Sequence, residues 1–289
     1  MISTSALDRL AMRLEGSEWI DRFAQPLNQL LQRFARPGPL RDELSGSPLG
    51  HPAHPAIVSG AIGCWSAALI ADATAQPDAA RTLTGAGVLL AAPAVATGLS
   101  DWVDTTGAEQ RVGFVHLALN TIAISCFTAS WRARRRDNHR IGVAYGIVGA
   151  TAMGAAAWFG GHLAYAMGVG VNTTAFDGGP TEWTEVIVSS DNPSAGHAAG
   201  VPLLIVNLAD GPHVLADRCT HRGGPLSKGA IAGDCVTCPW HGSRFSLIDG
   251  SVQSGPAVAP QPVYETRLES GRLFVRRDEP RSLRVNPVR

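Results

Sequence analysis

The chain has 289 residues with 24 basic and 24 acidic side chains, so its net charge is zero. That balance excludes nucleic-acid binding driven by bulk charge, and five cysteines are too few for a disulfide scaffold. Charged residues make up 17%, below the roughly 25% of soluble domains, while mean hydropathy is only +0.06.

Residues 1–48 open the chain as an amphipathic helical region. Leu7, Leu10, Ala11 and Leu14, then Ile20, Phe23, Leu27, Leu30, Leu31 and Phe34, recur at helical spacing. Arg9, Arg13, Arg22, Arg33 and Arg36 fall largely between them. Such a region lies on a bilayer surface or packs against a soluble domain. It lacks the pattern of a cleavable signal peptide.

The missing charge is concentrated further on. Windows 44–71, 82–100, 112–131 and 141–176 contain no Asp, Glu, Lys or Arg. A helix needs about 20 apolar residues to cross a hydrocarbon core, and buried helices of soluble bundles usually keep a polar stripe. Residues 49–171 are therefore expected to form a four-helix transmembrane domain in a lipid membrane, with Gly and Ala allowing close helix approach. Residues 172–181, rich in Gly, Thr and Pro, read as a linker. Residues 182–277 alternate in hydrophobicity, and 278–289 form a tail. In the third part EVIVSS, PLLIVNL, HVLAD, VYETRLE and RLFVRR read as short strands.

Two strings in that part carry the chemistry. Cys219-Thr220-His221 is followed by Arg222-Gly223-Gly224-Pro225, and Cys238-Pro239-Trp240-His241 by Gly242-Ser243-Arg244-Phe245. Two Cys and two His suit zinc or an iron–sulfur cluster. Zinc motifs usually pair Cys with Cys and His with His, whereas each string here supplies one of each. A two-iron cluster with Cys₂ on one iron and His₂ on the other needs that split.

The pattern resembles the Rieske family, and the likeness extends through GPLSKGAI and DGSV to GPAVAPQPVYETRL. The resemblance implies a [2Fe-2S] cluster, with Cys219 and Cys238 on one iron and His221 and His241 on the other. It also implies an all-β, sandwich-like domain with the two cluster loops at one tip. The expected architecture is thus an α-helical four-span membrane bundle followed by an all-β Rieske domain. Respiratory members join the loops by a disulfide, but Gly224 and Trp240 stand in those places. Cys235 then has no partner and reads as a free thiol. Ser243 matches a family residue that hydrogen-bonds the cluster, and Phe245 replaces a Tyr. Fewer hydrogen bonds to the cluster imply a low potential.

No histidine follows His241, so a two-His, one-carboxylate oxygenase iron is not expected in this chain. The expected role is a membrane-anchored one-electron carrier between a redox donor and acceptor protein, both unidentified, with no nucleic-acid partner. A redox or oxygen/nitrosative-stress sensor or scaffold, and a quinol-linked oxidoreductase subunit, are the alternatives. In the membrane part His51, His54, Asp101, His116 and His162 sit at span ends expected to share one face. His54, Asp101, His116 and His162 are candidates for a haem, metal or quinone site exchanging electrons with the cluster. The GHPAHP entry and GGHLAYAMGVGV exit resemble an uncharacterised four-helix membrane family. Arg81, Arg132, Arg134, Arg135, Arg136 and Arg140 against Arg36, Arg41 and Arg111 favour placing the Rieske domain outside the cytoplasm.

Overall fold

A computed structural model describes residues 6–190 and 194–277. The expected tail, 278–289, lies outside the described residues. The chain forms two units, one helical and one β-rich.

The helical unit takes residues up to Arg36 and Pro52–Gly170. Four helices fill the charge-poor windows: α4 (Ala53–Ala73), α5 (Pro77–Trp102), α6 (Gly107–Arg134) and α7 (His139–Gly161). The shortest has 21 residues, which at about 1.5 Å per residue spans roughly 30 Å. Each is apolar enough to cross a membrane, and Ile70, Leu89, Ile147 and Val148 point outward. Pro77 opens α5 at a position where its missing N–H costs nothing. Small residues inside let large ones approach. A Cβ on Gly87 would collide with Trp65 Nε1, and one on Gly149 would lie 3.1 Å from Phe127 Cδ2. The Trp65 and Phe127 rings stack at 4.2 Å.

The amphipathic region divides. α1 (Ala6–Glu15) and α2 (Asp21–Gln32) pack on the membrane helices themselves, a third outcome beside the two expected. Ala11 is buried against Val112 and Phe159, and Ile20 and Ala24 against Trp102. Arg111 forms a bidentate pair with Asp21 at 2.8 and 2.7 Å. Asn28 Nδ2 donates to the carbonyls of Trp102 and Val103 at the end of α5.

The β-rich unit takes Pro37–His51 and the chain from Val171. Its larger sheet has seven antiparallel strands in the order β1-β11-β10-β5-β4-β3-β2. These are β1 (Thr184–Glu185), β2 (Ile187–Val188), β3 (Ala195–Ala198), β4 (Val201–Leu208), β5 (Gly211–Ala216), β10 (Val263–Glu269) and β11 (Arg272–Arg277). A second sheet pairs β6 (Ala230–Ala232), β7 (Cys235–Thr237), β8 (Arg244–Ser246) and β9 (Val252–Ser254) in sequence order. Leu204, Leu215, Leu226, Phe245 and Leu247 form the core beneath the second sheet. The five expected strand segments appear as β1–β2, β4, β5, β10 and β11. The second sheet, with strands of three residues, has too little periodicity to be read from sequence.

Pro37–His51, expected to be divided between the N-terminal helical region and the start of the transmembrane domain, is a strap on this β unit. Its short helix α3 (Pro39–Ser45) presents Asp42, whose Oδ1 accepts from Gly255 N at 2.7 Å. Ser47 Oγ contacts the carbonyls of Gly255 at 2.6 Å and Ala257 at 2.9 Å. Arg41 is buried.

Candidate metal centre

The two Cys/His strings form two loops of like construction. The first leaves β5 and the second joins β7 to β8. In each, the cysteine N–H donates to the carbonyl five residues on: Cys219 to Gly224 at 2.9 Å, Cys238 to Ser243 at 2.8 Å. In each, the residue four after the cysteine donates back to the cysteine carbonyl, Gly223 at 2.8 Å and Gly242 at 3.1 Å. Those two residues have φ of +77° and +74°, a conformation that favours glycine. The loops therefore turn alike and bring their cysteines together.

Cys219 and Cys238 are buried and hydrogen-bonded to each other. The bond from Cys219 brings Cys238 down to about 7, because it stabilises the thiolate. Cys219, the donor in the same buried pair, is raised. The imidazoles of His221 and His241 lie 5.1 Å apart, edge to face. Burial first, then the charges of His241, Arg222 and Arg41, push His221 down to about 2. It is therefore neutral near pH 7 and keeps a lone pair for a metal. A thiol pair next to an imidazole pair is a donor set suited to two irons of unequal ligation.

Gly224 and Trp240 occupy the places of the absent disulfide. A Cβ on Gly224 would lie 2.9 Å from Cys238 Sγ and 3.0 Å from the Trp240 ring. Close packing of one loop on the other therefore requires this glycine. Trp240 is nevertheless 57% exposed. Ser243 is fully buried, and its Oγ accepts from Ala257 N at 3.0 Å, leaving its hydroxyl hydrogen to donate elsewhere. Phe245 is fully buried in the core and brings no hydroxyl. Cys235 pairs with Ser246 across β7 and β8, off the loops, and its Sγ lies 3.5 Å from Asp234 Oδ1. No disulfide joins any of the five cysteines.

Several supports carry no signature in the sequence. Gln261 is 2% exposed. Its Nε2 donates to the carbonyls of Ala216 and Arg218, both at 2.7 Å, and its Oε1 accepts from Thr220 N at 3.1 Å. Thr173, in the expected linker, donates from Oγ1 to the Cys219 carbonyl at 2.7 Å. The linker thus begins as part of the first loop's scaffold.

In the helical unit the four candidate residues are distributed differently. His54 is in the first turn of α4, whereas His116 lies well inside α6, about two and a half turns after Gly107. Nε2 of His162 is 2.8 Å from Glu15 Oε1, and its ring stacks on Trp158. Asp101 is in the last turn of α5. Among the described residues, no three or more His, Cys, Asp or Glu side chains gather into one cluster, so the four candidates do not meet at a single point.

The Rieske [2Fe-2S] domain model matches residues 182–265. Ferredoxin CarAc of Metapseudomonas resinovorans is 31% identical over 98 residues, covering 32% of this chain and 92% of that ferredoxin. The chain belongs to the Rieske family. This Rieske protein is also similar to the ferredoxin component of biphenyl 2,3-dioxygenase from Rhodococcus jostii, 28% identical over 74 residues, covering 26% of this chain and 69% of that component. Apoptosis-inducing factor 3 of Homo sapiens is 33% identical over 64 residues, which cover 22% of this chain and only 11% of that protein. Residues 50–173 match the model described as Predicted membrane protein (DUF2231). The chain is therefore an integral membrane protein carrying a Rieske module and its [2Fe-2S] cluster.

Proposed function

We propose that this protein is a membrane-anchored one-electron carrier of low potential. Cys219 and Cys238 hold one iron and His221 and His241 the other. The observation that carries the reading is the pair of like loops, each offering one Cys and one His at a shared tip. When bound, the cluster takes up and releases one electron. The chain's own part is to hold the thiolates in a dry core and keep the imidazoles neutral. The exposed Trp240, beside His241 at a ring separation of 6.3 Å, marks the surface where a partner docks. The similarity to ferredoxins of oxygenase systems makes a reductase a fitting donor and an oxygenase a fitting acceptor.

Low potential follows from Phe245, which has no hydroxyl to stabilise the more negative reduced cluster. An EPR-monitored redox titration of the purified full chain is expected to give a midpoint below zero. A value well above zero overturns that part of the proposal. Phe245→Tyr should raise the midpoint. One hydrogen bond to a charged group is worth about 1.5 kcal/mol, or about 60 mV for a one-electron couple.

The Rieske unit is proposed to face away from the cytoplasm. Arg81, Arg132, Arg135, Arg136 and Arg140 flank the opposite ends of the spans. Protease added to intact spheroplasts should cleave it, and full protection would place it inside.

A further inference from the structure

The helical unit contains a repeat. A shift of 62 residues maps α4 and its turn onto α6 and its turn, and α5 onto α7. Identities at this shift include His54/His116, Ala61/Ala123, Cys64/Cys126, Gly87/Gly149, Ala94/Ala156 and Gly98/Gly160. The geometry repeats with them. Ala75 and Asp137 are non-glycine turn residues with φ of +54° and +56°. Ala75 N donates to Asp72 O and Asp137 N to Arg134 O, each at 3.1 Å. Equivalent residues also meet each other: Trp65 stacks on Phe127, and Asp72 pairs with Arg134. Contacts between equivalent positions are the mark of a two-fold axis. Here α4 and α6 are parallel repeats about an axis along the bundle.

His54 and His116 are the polar pair at one end of that axis, and they are built alike. His54 Nδ1 lies 2.9 Å from Ala94 O, and His116 Nδ1 lies 2.8 Å from Ala156 O. A carbonyl only accepts, so in both rings Nδ1 carries the hydrogen and Nε2 keeps the lone pair. A Cβ on Gly98 would lie 2.9 Å from His54 Cε1, and one on Gly160 would lie 3.0 Å from His116 Cε1. Each ring is thus wedged against a glycine of the next helix and oriented by a backbone carbonyl. Metal-ligating histidines are held in this way, with the far nitrogen fixed by a carbonyl so that the other faces the metal. His54 precedes Trp65, and His116 precedes Phe127, by about three helical turns, so both imidazoles lie on the helix faces where those two rings stack. Asn120 Nδ2 donates to His116 Nε2 at 3.0 Å, which confirms the lone pair and marks the contact a metal would displace. The residue equivalent to Asn120 is Val58, which makes no such claim on His54. His162 differs, since its Nε2 is engaged by Glu15.

We propose that His54 and His116 form a two-imidazole site for a transition-metal centre in the membrane unit, each ligating through Nε2. The metal is carried as haem iron, for which a symmetric imidazole pair supplies two axial ligands, or as a bare ion. This narrows the four sequence candidates to two and does not depend on how the Rieske cluster functions.

The test uses the full chain purified in detergent, with metal analysis and absorption spectra in the oxidised and reduced states. The wild type should hold metal beyond the cluster's two irons. A Soret band identifies haem, and extra metal without one identifies a bare ion. His54→Ala and His116→Ala should each lower this occupancy at least tenfold, while His162→Ala keeps it. The Rieske EPR signal should persist in all three, which separates this result from any failure of the cluster. Imidazole added to His116→Gly should restore metal, which a merely structural histidine would not allow. No metal beyond two irons in the wild type, or undiminished metal in the His54/His116 double variant, overturns the proposal.

Discussion

Cys238→Ser and His241→Ala should each abolish the cluster. Iron in the β unit is expected to fall from about two atoms per chain to near zero, with loss of the Rieske EPR signal. The effect is large because, in the proposed ligation, each loop offers one donor to each iron, so one loss leaves an iron with half of its protein ligands. Stability should fall too, since Cys219 and Cys238 lie in the main core of the unit and metal binding contributes directly to folding. Cys235→Ser is the control. Its thiol is raised by burial and lies off the loops, so that variant should keep the full signal. Loss of signal there would move the ligand assignment to Cys235.

The second large effect is in the membrane unit. Arg134 is bidentate to Asp72, both bonds at 2.6 Å, with side chains 1% and 12% exposed. Arg134→Ala leaves a buried carboxylate without its partner, a change that costs about 3–5 kcal/mol. Denaturation in detergent should show that loss. Because the two residues are related by the repeat, D72R/R134D places each group where its counterpart stood. The double exchange should recover most of the stability of the wild type. Failure to recover would mean that the surroundings of this pair are not symmetric.

The spans were legible because apolar length is a strong signal, yet their ends were not. The charge-free windows close at 71 and 131, whereas α4 runs to Ala73 and α6 to Arg134. Asp72 and Arg134 neutralise each other inside the bundle, so Arg134 is not the free loop charge that its sequence context suggests. The repeat was hidden because most of its identities are Ala or Gly, which all four spans share. The Cys and His residues proposed as donors stand out in the sequence by their spacing. Gly223, Gly242, Gln261 and Thr173 do not, since a lone glycine or amide acquires its role only when distant strands place it beside a loop. The strap likewise exists only in three dimensions.

The strap has a consequence for how this protein can be cut. The chain visits the β unit at Pro37–His51, runs through four spans, and returns at Val171. The ferredoxin-like part is therefore not a detachable C-terminal cassette. A fragment starting at Val171 would lack Asp42 and Ser47, which hold the Gly255 and Ala257 backbone, and the buried Arg41. The hydrogen bond from Ala257 N to Ser243 would then sit at an uncovered edge beside the second loop. A finished ferredoxin appended to a membrane domain alone would lack the hydrogen bonds that Asp42 and Ser47 supply. The segment ahead of the first span had to become part of the electron carrier as well.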